Sequence, residues 1–190
     1  RNAVYDKNEL NELLINKKVF EYWSHAASYL PIQDFRYSLF RKKQYREGGK
    51  HWFEKDERVI RHVLQRIEKE GPLQSKDFNN EKNNKGEWYD WKPAKIALEQ
   101  LFMEGILMVT QRQGFQKVYD LAKRVLPSQV DMQVPTNEEF VSHLIDRSIR
   151  SHGIVALNEI DYLLKGHRAI LKRVILDKFV RKEIQKVTIK

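Results

Sequence analysis

Apolar positions recur along this chain first at helical and then at strand spacing. Leu10, Leu13, Leu14, Val19, Phe20, Trp23 and Ala27 fall three, four or seven apart, which predicts a helix over 7–30 closed by Pro31. In "RYSLFRKKQYREGGKHWFEK" the cations Arg41, Lys42, Lys43, Arg46 and Lys50 alternate with Tyr37, Phe40, Tyr45, Trp52 and Phe53. This predicts an amphipathic helix with aromatics inward and charges solvated, although cations beside aromatic rings also suit phosphates and bases. Val59, Ile60, Val63, Leu64 and Ile67 stripe a further helix over 57–70 that Gly71–Pro72 ends. "LQSKDF" then reads as a short second helix, and "NNEKNNKGEWYDW" as a polar loop running into Trp88, Tyr89 and Trp91. A third helix runs from Pro93 to Glu104, with proline suitably first and Gly105 as its stop. Residues 107–112 and 116–121 switch to strand spacing around Gly114–Phe115, which predicts a hairpin with a basic tip.

Helix, short strand-like Gly-Pro-Leu, helix, helix, hairpin is the order of a winged helix, whose third helix and wing commonly face DNA. The order restarts after "PSQVDMQVP". Thr136 and Glu139 form a capping-box pattern, and Phe140, Val141, Leu144, Ile145 and Ile149 share one helical face up to Gly153. "GIVALNEIDYLL" stands where "GPLQSKDF" stood, "RAILKRVILDKFVRKE" supplies a third helix, and "IQKVTIK" starts a strand. The expected fold class is therefore mainly α with small β-hairpins, as tandem winged-helix units. The expected divisions are a helical segment over 1–54, a winged helix over 55–127, and a second over 128–190 that stops at its wing.

Charge narrows the partner. The chain has 190 residues with 35 Lys+Arg against 26 Asp+Glu, a formal net charge of +9, which favours an anionic partner and nucleic acid first. A composition 41% hydrophobic and 11% aromatic provides for folded cores, so this charge belongs to a structured surface. Cysteine is absent, which excludes disulfide scaffolds, thiolate catalysis and Cys-ligated zinc and fits a reducing cytoplasm. No apolar run approaches the roughly 20 residues that span a bilayer, and no signal-peptide pattern opens the chain. It begins at Arg1 rather than Met, which suggests a piece of a longer protein. With no heptad seam in sight, a monomer is expected.

Catalytic chemistry is hard to find. The histidines, at 25, 51, 62, 143, 152 and 167, make no metal-ligand spacing with carboxylates, and "EGGK" at 47–50 lacks the length and the Ser/Thr of a phosphate loop. Neither metal nor cofactor is expected. The residues expected to meet DNA are Lys92 and Lys95 at the start of the third helix, Arg112 and Lys117 beside the wing tip, and Lys123 and Arg124 after it. Lys123 and Arg124 also suit packing of the wing segment. Arg168, Lys172, Arg173, Lys178, Arg181 and Lys182 give the last helix a basic face that fits either phosphate or solvent. Tyr119 and Leu121 read as core, and Asp120 as a cap or ion-pair partner. Glu21 and His25 read as a pair one helical turn apart, and Trp88 and Trp91 as packing.

"VFEYWSHAASYLP", "GPLQSKDF", "WYDWKPAKIALEQLFMEGIL" and above all "RQGFQKVYDLAKRVLP" resemble the YcaQ/AlkZ-type winged-helix DNA glycosylases, in an order and spacing that span nearly the whole chain. The resemblance implies tandem winged helices and excision of alkylated bases, or unhooking of crosslinks, from duplex DNA by N-glycosidic bond cleavage. It also implies a Gln-x-Gln or Gln-x-Asp catalytic motif upstream of the segment matching 19–31, before this sequence begins, so this piece alone is expected to be inactive. Gln129–Val130–Asp131 spells the pattern but lies after Pro127, in the linker, and reads as connector. The alternative is a tandem winged-helix regulator or architectural protein without catalysis. The implied setting is the nucleoid.

Overall fold

The computed structural model describes residues 6–24, 26–49, 51–78, 93–162 and 166–188, and excludes the side chain of Lys7. They form two compact units that divide between Met132 and Gln133. The fold is mostly helical with small antiparallel sheets.

The first unit opens with α1 (Lys7–Ile15), capped by Asp6, whose carboxylate accepts from the Asn8 N–H at 2.9 Å. The helix predicted to continue to residue 30 stops here. Lys17 takes φ 56°, its N–H bonds to Leu14 O at 3.0 Å, and the Lys18 N–H bonds to Leu13 O at 2.9 Å. This is the paired hydrogen-bond pattern that ends many helices, here with lysine where glycine is usual. Val19, Phe20, Tyr22 and Trp23 favour extended backbone, and the chain forms a hairpin of β1 (Val19–Trp23) and β2 (Ala27–Pro31) in place of the predicted helix. The apolar spacing over 10–27 fits a helix numerically because a short helix and a strand buried on both faces together mimic one period. Phe20, Glu21 and Tyr22 are all buried.

After a 3-10 turn at Ile32–Asp34, α2 (Phe35–Arg46) follows, then α3 (Glu57–Glu70), β3 (Leu73–Gln74), a second 3-10 turn at Ser75–Phe78, α4 (Pro93–Met103), β4 (Leu107–Gln113), β5 (Gln116–Leu121) and the one-turn α5 (Ala122–Val125). The expected helices over 57–70 and from Pro93, and the hairpin after Gly105, are present. The three-stranded antiparallel sheet has the order β3-β5-β4. One core gathers Leu14, Phe20, Phe35, Ile67, Leu98, Leu107 and Val109, with residues from α1 through α5. The stretch before residue 55 therefore shares its core with the helices and hairpin that follow.

The second unit holds α6 (Asn137–His152), α7 (Leu157–Ile160) and α8 (Arg168–Val180) around Val141, Ile145, Ile160 and Leu171. The capping box is present: the Glu139 N–H donates to Thr136 Oγ1 at 3.2 Å and the Thr136 N–H to Glu139 Oε2 at 2.8 Å. The strand predicted at "IQKVTIK" is not formed among the described residues, which run on irregularly to 188. A lone edge segment without a partner strand has nothing to complete its ladder.

Candidate nucleic-acid interface

The hairpin β4–β5 rises out of the core toward its turn. Leu107 and Leu121 at its base are buried, whereas Gln113, Gly114, Phe115 and Gln116 at its tip are exposed. Gly114 takes φ 60°, the left-handed backbone that the first central position of a two-residue hairpin turn needs. Phe115 beside it is 95% exposed. The tip is thus neutral and aromatic, and the cations predicted for it sit one residue further down each strand, where Arg112 and Lys117 face each other in register. Between Val109 and Gln111 the register slips by one, a bulge that adds local twist below that pair.

Neither cation is idle. Arg112 grips Glu21 with both carboxylate oxygens, Nη2 to Oε1 at 2.6 Å and Nε to Oε2 at 2.9 Å. The Glu21 side chain is only 2% exposed, on the face of β1 opposite Phe20 and Tyr22. The hydrogen bonds that Arg112 donates to Glu21 raise the pKa of its guanidinium above the ordinary value, against the cost of partial burial. Arg112 Nη1 also donates to Phe115 O at 3.0 Å, and its backbone N–H to Asn11 Oδ1 at 3.0 Å, so α1 and β1 both fasten the hairpin. Lys117 Nζ lies 3.6 Å from Glu21 and 3.2 Å from Glu99, and 4.4 Å above the Phe102 ring. Tyr119 donates to Glu99 Oε1 at 2.8 Å; burial and the adjacent Glu99 charge push its phenol well above the usual range, which keeps it a donor. Gln74 on β3 donates to Gln113 Oε1 at 2.9 Å.

The remaining predicted cations divide. Arg124 donates to the last-turn carbonyls of α3, Ile67 O at 3.0 Å and Glu68 O at 2.7 Å, and reaches Asp120 at 3.2 Å. It caps a helix C-terminus, where positive charge is favourable. Asp120 is that ion-pair partner, and Tyr119 and Leu121 are buried, as read from the sequence. Lys95 on the first turn of α4 and Lys123 on α5 are exposed. Lys92, like His25, Lys50, Trp88 and Trp91, lies outside the described residues. Glu21 does not lie on a helix surface as its spacing suggests. It is a buried strand residue, and the signal for it was the aromatic run Val19–Trp23 read with a period of two.

Asp131 of the Gln-Val-Asp connector pairs with Arg36 of α2 at 3.2 Å, and Val130 packs against the first core. On α8, Arg168 pairs with Asp161 at 2.7 Å, Arg173 with Glu138, and Lys178 with Asp146 at 2.9 Å. Burial disfavours the Lys178 charge, but its hydrogen bonds to Asp146 and Glu183 outweigh this and raise its pKa. Lys172 and Lys182 on the same unit are exposed. No helix among the described residues is long and apolar enough to cross a membrane.

No solved structure matches the chain. The family model described as "DNA glycosylase AlkZ-like" matches residues 1–190, the whole of the sequence, and this chain belongs to the AlkZ-like DNA glycosylase family.

Proposed function

We propose that these residues hold damaged duplex DNA for a repair glycosylase that excises alkylated bases, or unhooks crosslinks, by hydrolysing the N-glycosidic bond. The match of the family model along all 190 residues carries the proposal. In it, α3, β3, α4 and the hairpin act as one winged helix, with α6, α7 and α8 as the helices of a second. Hydrolysis of that bond needs a group that orients water and charge that offsets the developing oxocarbenium ion. None of the described residues is assigned that step.

Lys95 and Lys123, exposed at the start of α4 and directly after β5, are placed where a phosphate could reach them. Lys95 adds its charge to the positive end of a helix. Arg112, Lys117 and Arg124 engage Glu21, Glu99 and the α3 carbonyls and brace the hairpin on the core. The net charge of +9 supplies the long-range attraction.

Binding to a fluorescent duplex across a salt series tests this. A steep fall of affinity with salt is expected, and Lys95→Ala with Lys123→Ala should reduce the log–log slope by about one to two, roughly 0.9 for each phosphate no longer neutralised. Absence of binding at low salt would sink the proposal and leave a protein-packing scaffold. Tight binding by a full-length parent that releases no base from alkylated DNA would favour a regulator without catalysis.

A further inference from the structure

Phe115 has the most exposed large hydrophobic side chain among the described residues, at 95%. Nothing in its turn requires it. A two-residue turn with glycine first accepts small polar residues second, and these leave no apolar ring in water. The backbone beneath it is tied to the core at several points. Arg112 ties the Phe115 carbonyl at 3.0 Å to the same guanidinium that grips buried Glu21, Gln74 holds Gln113, and Lys117 and Tyr119 converge on Glu99. The clamp draws on α1, β1, β3 and α4, so the ring stands on a rigid stalk.

Along that stalk the chemistry changes in a fixed order. An aromatic ring leads, uncharged Gln113 and Gln116 flank it, and Arg112 and Lys117, ion-paired with Glu21 and Glu99, brace the strands one residue behind. A groove of duplex DNA presents polar base edges and, beyond them, stacked base faces, the partners that two amides led by a ring would meet in turn. Proteins that kink DNA use apolar side chains, phenylalanine among them, as wedges between base steps.

We propose that Phe115 is an apolar wedge that the clamped hairpin drives into the base stack of duplex DNA. This rests on the DNA-holding function proposed above. Unstacking costs least at a mismatched or damaged pair, so the wedge favours duplex already weakened there. Its rigidity matters because a stalk that yielded would let the ring fold back rather than part the bases.

The test uses the whole chain and duplexes carrying 2-aminopurine at successive positions beside an abasic or alkylated site. With wild type, the fluorescence of one or two adjacent positions should rise on binding, as stacking is lost. Phe115→Ala should abolish that rise and weaken binding roughly tenfold, within the range measured for loss of one aromatic–base stack. Its salt slope should stay unchanged, since every cation that neutralises a phosphate is still in place. Phe115→Leu should retain part of the signal. An exposed tip residue tolerates both substitutions, and circular dichroism checks that the fold is kept. If Phe115→Ala binds with the same fluorescence rise as wild type, the wedge is wrong while DNA binding stands. If wild type fails to bind any duplex, both proposals fall.

Discussion

Adjacent residues of β1 face two opposite solutions to burying a charge. Glu21 points to the hairpin, where Arg112 and Lys117 neutralise it. Phe20 and Tyr22 point to the other side, where Lys42 of α2 is buried with its ammonium 3.7 Å from the Phe35 ring, 4.4 Å from Tyr22 and 5.3 Å from Phe20. Among the described residues no carboxylate pairs with Lys42; its hydrogen bond goes to Ser38 Oγ at 2.7 Å, and Ser38 in turn donates to Phe35 O. Burial, with the nearby Arg46 charge adding to it, holds the Lys42 pKa well below the usual lysine value. Tyr22 is pushed upward, mainly by burial, and as a phenol donates to Met103 O at 2.6 Å. A charge with a counter-charge is held in its charged form, while an amine buried among rings loses its proton more easily than a solvated one.

The largest way to break this contrast is at Glu21. Glu21→Ala leaves Arg112 and Lys117 without their shared buried carboxylate and should cost about 3–5 kcal/mol. Urea denaturation measures it, and an unchanged midpoint would show that the clamp holds nothing. Replacing Lys42 should act in the opposite direction. Lys42→Met removes a poorly solvated amine and should stabilise the protein by on the order of 1 kcal/mol at neutral pH.

The sign of the pH effect sharpens the same contrast. Below about pH 10.5 the unfolded chain holds a proton on Lys42 that the folded chain releases, until pH falls below the lowered folded value. Between those limits this site makes the protein less stable as pH drops, and Lys42→Met should flatten that part of the profile. Denaturation midpoints from pH 7 to 10 decide it; a variant with the same slope as wild type would mean that Lys42 keeps its proton in the folded state.

The smallest expected effect lies just before β1. Lys17 sits at φ 56°, where a side chain costs about 1–2 kcal/mol, so Lys17→Gly should gain several tenths to 1 kcal/mol. Thermal melting detects it, and a decrease in Tm would show that the lysine side chain contributes more than its backbone costs.

These helix ends also explain what could be read from sequence. At α4 and α2 the left-handed residue is Gly105 or Gly48, and glycine announces the stop. At α1 it is Lys17 and after α8 it is Lys182, and lysine announces nothing. Hence the 57–70 and 93–103 helices and the β4–β5 hairpin are legible from period and punctuation, whereas β1 and β2 are not. Of the candidate interface, the cations were visible as charge, but their partners depend on tertiary contacts far apart in sequence. Glu21 was misassigned with its strand, Arg124 was a helix cap in disguise, and Phe115 was visible only as part of a turn.

The distance between Glu21 and Arg112 along the chain, 91 residues, has a consequence for assembly. During synthesis β1 and β2 emerge well before β4 and can pair locally, but the carboxylate must wait for most of the first unit to leave the ribosome before its arginine arrives. Closing a loop of that length is slow beside forming a local hairpin. The β4–β5 hairpin can therefore gain its ion pair to β1 only late in the synthesis of this unit, and a nascent chain stopped before residue 112 carries an acidic strand residue that still lacks its counter-charge.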